Sequence, residues 1–543
     1  MPERNIGLDF GTTNSTISYL ESESIEAFQY GGPGGQRYIP SFITYLDEEE
    51  EELEVGSAAR ASATYRKDVE SYANFKMYLP LPESEFSNHF KNNRTPISVT
   101  ANYLKEILTS SENEYSFEEQ EGKISKIVVS VPEIWHRDIK NTGRERLQKI
   151  IKESLGFGDK LVQLVSEPVA AAAYYVWKDK KRENVSEQKV FSGNLLVCDM
   201  GGGTFDVSLC RVSKDSSVEV LYFDGQGDKG LECAGVAFDR NCVKAAYFKK
   251  HGKHISESDP KFRTLLSAFE GLKIASHNRC TKVINKFIDD PSKFCDKEVY
   301  NFDDGYSLTN KELSEAFKPI SVGIADVLKR VTDWLELNDQ RFDRLFLVGG
   351  FCQFSLVRHA IFSSLGIQKN DSRFDKTLNI ADSAYAISFG SCVIANGFVD
   401  TTEKFVHKIG IEIVKQITRG SGINFKHEDK YRDLTLIHGE HSLQELSEPI
   451  FCKDRLKGGQ SHFPLTIWVI PHTVGQRYSL QESIELPNYS KDSAYSVGMK
   501  VDRSLIAYLI VKEIDSEVVV EYELGNVFSK IFPDGTAMAN SSI

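Results

Sequence analysis

The chain has 543 residues, 41% of them hydrophobic and 26% charged, so it is long enough for two or more domains of ordinary globular composition. Its formal net charge of −13 argues against a nucleic-acid-binding surface, which needs clustered Lys and Arg to neutralise phosphates. No run reaches the ~20 apolar residues of a membrane span, and no signal sequence precedes the first strand. The nine scattered cysteines form no C-x-x-C pair. We therefore expect a cytoplasmic protein with reduced thiols and no membrane contact.

Strand-like and helix-like segments alternate from the N-terminus to about residue 398. Short apolar runs stopped by Pro or Gly are typical of central strands, and apolar residues recurring at every third or fourth position are typical of helices. In chain order these segments include IVVSVP (Ile127–Pro132), Asn141–Leu155, Leu308–Leu335 and LFLVGG (Leu345–Gly350). The alternation predicts an α/β domain over residues 1–398, with ligand loops at the carboxyl ends of its strands.

The pattern changes after Phe398. The later apolar runs are β-rich with partial alternation, and they are LTIWVI (Leu465–Ile470), LIAYLIVKEI (Leu505–Ile514) and EVVVEYEL (Glu517–Leu524). The change predicts a short linker at residues 399–404 and an all-β, sandwich-like module over residues 405–543.

Two copies of one signature lie about 190 residues apart. They read IGLDFGTTNST (Ile6–Thr16) and LLVCDMGGGTFDVSL (Leu195–Leu209). Each is an apolar strand that ends in Asp, turns on glycines and then supplies Thr hydroxyls. The Asp can hold a hydrated divalent cation, and the glycines let backbone N–H groups approach phosphate oxygens without a clash at Cβ. The pair predicts a duplicated α/β core that closes on one nucleotide from both sides.

The chain contains, in this order, the segments DFGTTNS, VSVPEIW, VSEPVAAAAYY, CDMGGGTFDVSL and FLVGGF. Together, and in this order, the five segments resemble the DnaK-type heat-shock-70 chaperones. Actin and sugar kinases share the Asp-Gly-Thr loops but not these five sequences. The resemblance covers nearly all of residues 4–398. It implies an actin-like ATPase of two ribonuclease-H-like lobes, which binds ATP or ADP with Mg²⁺, followed by a β-sandwich domain.

The resemblance also implies roles for individual residues. Asp9 and Asp199 would hold the metal through water, and Lys76 would position the γ-phosphate and the attacking water. Glu167 would order the metal's water shell, and Asp206 would accept a proton. A surface lysine and a helix N-cap are the structural alternatives for Lys76 and Glu167. The residues expected to bind the nucleotide are Gly11, Thr12, Thr13, Gly201, Gly202, Gly203, Thr204, Gly235, Glu270, Lys273, Gly349 and Gly350.

Several positions depart from the family pattern. Phe351, Cys352 and Gln353 stand where the family commonly has Ser, Thr and an Arg that stacks on adenine. His277 takes the place of a typical serine, and the run AGVAFD (234–239) lacks the family's Glu-Asp pair. We therefore expect an altered base contact and reduced discrimination for adenine.

The C-terminal half resembles the family less closely. FVHKIGIEIV (Phe405–Val414) resembles the first strand of the family's peptide-binding β-sandwich, and ELSEPIF (Glu445–Phe451) resembles its next strand pair. GFVDTTEKF replaces the acidic, leucine-rich linker, and we expect no helical lid. The resemblance implies that unfolded or extended polypeptide binds here, with a J-domain protein and a nucleotide exchange factor as partners. Without a lid, bound peptide should leave quickly.

The main interpretation is an ATP-hydrolysing, chaperone-like protein that binds polypeptide or a partner protein. One alternative is a nucleotide-dependent scaffold or co-chaperone with negligible hydrolysis, which the altered base and linker segments favour. Another is a small-molecule kinase of the same actin-like fold. A kinase needs an aspartate that binds the acceptor, whereas the polar candidate here is Glu167 before Pro168.

Overall fold

The chain divides into two compact units. The first comprises Met1–Lys76, Asn102–Ser130 and Glu167–Thr401, and the second comprises Met77–Ala101, Val131–Ser166 and Thr402–Ile543. Within the part of the chain described below, no helix is long and apolar enough to cross a membrane. The computed structural model describes residues 2–32, 34–47, 52–66, 68–137, 142–182, 190–214, 216–226, 234–303, 305–368, 370–378, 381–401, 405, 407–419, 426–439, 446–457, 461–471, 475–486, 492–516 and 518–524.

The strands and helices are numbered in chain order. The strands are β1 (Glu3–Phe10), β2 (Asn14–Glu21), β3 (Ser24–Ala27), β4 (Ile39–Pro40), β5 (Phe42–Tyr45), β6 (Leu53–Val55), β7 (Glu70–Ala73), β8 (Lys123–Val131), β9 (Leu161–Ser166), β10 (Gly193–Met200), β11 (Phe205–Val212), β12 (Val218–Gln226), β13 (Glu298–Phe302), β14 (Tyr306–Thr309), β15 (Arg344–Val348), β16 (Lys408–Arg419), β17 (Lys426–His438), β18 (Ile450–Lys457), β19 (His462–Ile470), β20 (Tyr478–Glu485), β21 (Ala494–Val501), β22 (Ala507–Glu513) and β23 (Val519–Glu523).

The helices are α1 (Gly56–Tyr65), α2 (Pro96–Leu108), α3 (Phe117–Gln120), α4 (Glu133–Arg137), α5 (Thr142–Lys149), α6 (Glu167–Lys180), α7 (Gly235–His251), α8 (Pro260–Ala275), α9 (His277–Asp289), α10 (Pro291–Phe294), α11 (Asn310–Leu337), α12 (Ser355–Ser364) and α13 (Ala386–Ala395). The helical stretch predicted from residue 141 to 155 contains α5 and a π-helical turn at Ile150–Ser154, and the stretch predicted from 308 to 335 corresponds to α11.

Two sheets of the first unit share one strand order. The first contains the run β3-β2-β1-β8, and the second is β12-β11-β10-β15. In each run the last strand lies parallel to its neighbour, and the other pairs are antiparallel. The first strand of each signature is therefore central, and the second is its antiparallel neighbour. The predicted α/β architecture is confirmed, and the duplicated signature corresponds to a duplicated strand order.

Close backbone packing fixes α6 and α13 in the first unit. A Cβ added to Gly390 of α13 would lie 1.7 Å from the carbonyl oxygen of Ala170 in α6. A Cβ added to Gly7 of β1 would lie 2.2 Å from the backbone of α13. Because only glycine permits both approaches, α6 is held firmly, and its first residue is Glu167.

The described β-strands after residue 405 form two four-stranded antiparallel sheets in the second unit. Their orders are β17-β16-β19-β20 and β18-β21-β22-β23. One buried cluster draws on both sheets, including Ile409, Ile467, Val497 and Leu509, so the sheets pack face to face. The three apolar runs that indicated this module lie in or beside β19, β22 and β23.

Candidate functional site: two facing loops in the first unit

The first loop of the candidate site joins β1 to β2. Asp9 lies at the end of β1, and Ser130 of β8 donates a hydrogen bond from its Oγ to Asp9 Oδ1 over 2.9 Å. Gly11–Thr13 form the turn that follows. Ser41 steadies this turn, since its Oγ donates to the Gly11 carbonyl over 2.7 Å and its N–H to the Thr13 carbonyl over 3.0 Å. The carboxylate and the turn are therefore held by side chains from outside the signature.

The second loop repeats this arrangement between β10 and β11. Asp199, near the end of β10, is paired across the sheet with Asp206 of β11, and residues 201–204 form the turn. Gly349 presses against Asp199. Its φ is +82°, and an added Cβ would lie 2.5 Å from Asp199 Oδ1. This position requires glycine both for its backbone conformation and for space.

The two turns face each other. A Cβ added to Gly202 would lie 2.6 Å from Thr13 Oγ1. Gly235 begins α7 beside the same turn, where its N–H donates to the Gly201 carbonyl over 3.2 Å. The Val236 N–H donates to the Gly202 carbonyl over 2.8 Å. The structure thus brings together the glycines and hydroxyls of the two signatures with Gly235.

A buried ion pair lies within this charged cluster. Lys76 is 2% exposed, and its Nζ donates to Glu167 Oε1 over 2.9 Å. The same ammonium lies 5.7 Å from the ring centre of Phe10, next to Asp9 in sequence. The surface-lysine alternative for Lys76 is therefore wrong, because a solvated lysine would not be buried. Glu167 is the first residue of α6, where a carboxylate interacts favourably with the helix dipole.

Burial and repulsion between carboxylates raise the pKa values of the three aspartates in this cluster. Desolvation, followed by repulsion from Glu167, raises the pKa of Asp9 to about 6. Desolvation also raises the pKa of Asp206 to about 7, although a hydrogen bond from Thr204 opposes the shift. The pKa of Asp199 is raised well above its usual value by desolvation and by repulsion from Glu167, Asp206 and Asp9. Lys76 opposes all three shifts. A bound cation would relieve this repulsion.

The carboxylates do not form a direct metal cage. Among the described residues, no group of three or more His, Cys, Asp or Glu side chains is arranged to coordinate an ion. The pair Asp9 and Asp199 nevertheless fits a hydrated Mg²⁺, which usually keeps several waters and uses only one or two carboxylates. The donor set therefore suits the water-mediated binding expected from sequence.

The residues expected at the ribose and base lie on α8 and after Gly350. Lys273 Nζ donates to both carboxylate oxygens of Asp239, over 2.6 and 2.7 Å. Arg60 Nη1 lies 3.5 Å from Glu270 Oε2. No heavy atom lies within 4 Å of a Cβ added to Gly350, so this glycine borders open space. The two α8 residues are near the same helix end, but each already has a protein partner.

Sequence reasoning missed several supporting residues. Ser130 lies in the VSVPEIW motif but had no assigned role, and Ser41 follows a short strand with no signature of its own. Asp239 was noted only as the last residue of an altered motif, although it is buried and paired with Lys273. The sequence signal for Ser41 and Ser130 was a hydroxyl residue beside the end of a strand. The groups that these hydroxyls contact could be identified only from the structure.

A second polar cluster lies inside the second unit. Arg144 of α5 is fully buried, and its Nη1 donates to the Ser504 carbonyl over 2.8 Å. The Leu164 N–H donates to Ser504 Oγ over 3.0 Å, and Gln148 Nε2 donates to Asp502 Oδ2 over 2.8 Å. Asp502 and Ser504 lie between β21 and β22. The β-sandwich loop is therefore bonded to a segment that the sequence prediction assigned to the ATPase domain.

The predicted linker is only partly described. Phe398 is 43% exposed, Val399 is buried, and Thr401 forms a parallel bridge with Val218 in the first unit. Residues 402–404 lie outside the described residues, and Phe405 is buried in the sandwich core.

The family model described as "Hsp70 protein" matches residues 83–404, more than half of the chain. The chain belongs to the Hsp70 family. The family predicted from the five motifs is thereby confirmed.

Three curated relatives of this Hsp70-family chain illustrate the distance. It is 24% identical over 405 residues to "Chaperone protein dnaK" of Cyanidium caldarium, covering 68% of this chain and 58% of that protein. It is 24% identical to "Chaperone protein DnaK" of Thermosipho melanesiensis, covering 67% of this chain and 56% of that protein. It is 26% identical to "Chaperone protein DnaK" of Mycoplasma mobile, covering 68% of this chain and 55% of that protein. The matches thus span somewhat over half the length of these relatives.

Proposed function

We propose that this Hsp70-family chain binds ATP with Mg²⁺ in its first unit, hydrolyses it, and acts as a chaperone that binds polypeptide. The observation that carries the proposal is the facing of the two turns at Thr13 and Gly202, beside the buried pair of Lys76 and Glu167. Two repeated strand orders support an actin-like fold with two ribonuclease-H-like lobes. The family relatives, each named as a chaperone protein, support the chaperone assignment.

Phosphate binding would be shared by the two turns. Gly11–Thr13 and Gly201–Thr204 offer backbone N–H groups and hydroxyls, and glycine permits a phosphate to approach the backbone closely. Gly235 extends the second turn at the N-terminus of the 17-residue helix α7, where the helix dipole favours an anion. Because the turns come from the two repeats, both are needed to enclose one triphosphate.

Asp9 and Asp199 would hold Mg²⁺ through its water molecules, with Glu167 ordering that water shell. When bound, the ion would neutralise phosphate charge and orient the triphosphate. The raised pKa values of both aspartates support this assignment, since burial and repulsion disfavour their charged forms and a bound cation would favour them. Ser130 would keep Asp9 oriented through its hydrogen bond.

Hydrolysis would depend on positioning and electrostatics, because phosphoryl transfer requires little covalent chemistry from the protein. Lys76 would place its ammonium beside the γ-phosphate, with Glu167 fixing the direction of the side chain. Asp206 would receive the proton of the attacking water. Its pKa of about 7 places its proton affinity near neutral pH, where a general base is most effective.

Polypeptide would bind to the β-sandwich of the second unit, and a J-domain protein and a nucleotide exchange factor would act on the cycle. Within that unit, the β21–β22 loop is hydrogen-bonded to α5, which comes from the part of the chain that the resemblance assigns to the ATPase domain. These bonds do not involve the leucine-rich linker that the sequence lacks.

Single-turnover hydrolysis of ATP, measured with and without an extended peptide, tests the proposal. We expect Mg²⁺-dependent hydrolysis that peptide accelerates and that small sugars do not. Tight ATP binding with no hydrolysis would instead support the scaffold or co-chaperone alternative. Phosphate transfer to a sugar would support the kinase alternative.

A further inference from the structure

Arg358 is a positively charged residue beside the turn that follows Gly350. It lies in the first turn of α12, and its Nη2 donates to Gln353 Oε1 over 3.3 Å. Gln353 is itself fixed, since its Nε2 donates to the buried Ser383 Oγ over 2.6 Å. The guanidinium is therefore held at the position next to Gln353, where the sequence departs from its family.

The guanidinium of Arg358 has few partners. An arginine offers five N–H donors, and the bond to Gln353 uses one of them. Among the described residues, its buried Nε has no acceptor and no carboxylate pairs with Arg358. By contrast, two lysines of the candidate site, Lys76 and Lys273, are both paired with carboxylates. The Arg358 side chain is half-buried, and a ligand could supply the acceptor that its buried Nε lacks.

The surroundings of Arg358 connect it to the candidate nucleotide site. Helix α12 packs against α9, which begins at His277 directly after α8. Burial, followed by the positive charge of Arg358, lowers the pKa of His277. The turn that contains Gln353 begins at Gly350, which borders open space, and the preceding Gly349 lies against Asp199. Arg358 thus lies between the end of α8 and the turn beside the phosphate loops.

We infer that Arg358 contacts the base of the bound purine nucleotide and compensates for the missing arginine at Gln353. This inference rests on the proposed nucleotide site. The planar guanidinium can stack on a base and can also donate hydrogen bonds to ring nitrogens or carbonyl groups. The residue arises from a different helix position, five residues later in sequence, so motif comparison does not reveal it.

The test compares MgATP with inorganic tripolyphosphate, which has the phosphates but no base. The dissociation constant of MgATP is measured by calorimetry, and that of Mg-tripolyphosphate by competition against ATP. Wild type, Arg358→Ala, Arg358→Lys and the exposed α9 control Arg279→Ala are compared. Arg358→Lys keeps the charge but loses the planar fork, and it serves as the folded variant if Arg358→Ala is unstable.

We expect Arg358→Ala and Arg358→Lys to weaken MgATP binding about tenfold and to leave tripolyphosphate binding unchanged. Arg279→Ala should change neither. Equal MgATP affinity in wild type and both Arg358 variants would overturn the inference but not the proposed function. Equal weakening of both ligands would also overturn it, because Arg358 would then act on phosphates or on folding. A wild type that binds neither ligand would refute both proposals.

Discussion

Gly202 leaves no room for a side chain beside Thr13, because an added Cβ would lie 2.6 Å from the threonine hydroxyl. These residues come from separate copies of one signature, 189 positions apart in the chain. Their contact places the glycine turns of the two repeats next to each other. The proposed nucleotide site depends on the short distance between these turns.

Gly349→Ala tests the second loop. The substitution should strongly reduce ATP binding, because φ is +82° and the new Cβ would press on Asp199. The control Gly158→Ala changes an exposed glycine outside the candidate site and should leave binding unchanged, since the nearest heavy atom to its new Cβ is 3.7 Å away. Calorimetry of MgATP binding compares the two variants. Equal affinities would show that the position of Asp199 does not control binding.

Lys76→Ala should slow single-turnover hydrolysis about 10²–10³-fold, the usual scale for loss of one electrostatic stabiliser. The ammonium is buried against Glu167, and no other described side chain donates to Glu167 in its place. The control is Lys123→Ala, which removes a mostly exposed lysine paired with Glu118. An unchanged rate in the Lys76 variant would contradict its assigned role.

The raised pKa of Asp206 predicts a pH dependence of stability without nucleotide or metal. The folded state holds this proton up to about pH 7, whereas an aspartate in the unfolded chain releases it near its ordinary pKa of 3.8. The folded state therefore binds more protons between these values, and stability from this group falls as pH rises through that range. Above pH 7 the loss of stability caused by this carboxylate stays constant.

Asp206→Asn removes that titration. The melting temperature of the variant, relative to wild type, should therefore rise steadily between pH 5.5 and 7.5, measured by scanning calorimetry in a chelator. A difference that stays constant with pH would contradict the raised pKa. Adding Mg²⁺ and ADP should flatten the wild-type dependence, since a cation stabilises the ionised carboxylates.

Arg144 should be important for the stability of the second unit. Arg144→Ala leaves the buried Ser504 carbonyl without its donor and opens a cavity, so we expect a loss of about 2–4 kcal/mol in the free energy of unfolding. Arg503→Ala, an exposed neighbour in the same loop, should change it by less than about 0.5 kcal/mol. Urea denaturation followed by near-ultraviolet circular dichroism measures both. Similar small effects would show that the loop is not held by Arg144.

The parts of the site that could be predicted from sequence are those whose residues follow one another closely in the chain. A strand, an Asp, glycines and hydroxyls follow one another within Ile6–Thr16, so the first loop is visible without a structure. The α/β class of the first unit also follows from its alternating segments. The sandwich core of the second unit was likewise indicated by β-rich runs such as Leu465–Ile470.

Partners that lie far apart in sequence could not be predicted. Arg144 and Ser504 are separated by 360 residues, and Ser130 and Asp9 by 121. No periodicity links such positions, because their contact depends on how strands and helices pack. Arg358 was missed for another reason: it compensates from the next helix, whereas motif comparison examines only the aligned position.

Calorimetric titration of MgATP into wild type, Asp9→Ala and Asp199→Ala tests the central claim most directly, since these aspartates belong to opposite repeats. We predict one ATP per wild-type chain and a loss of at least about tenfold in affinity in each variant, with no binding in the double variant. Wild-type affinity retained in either single variant, or two ATP molecules bound per chain, would contradict a single nucleotide enclosed by both loops.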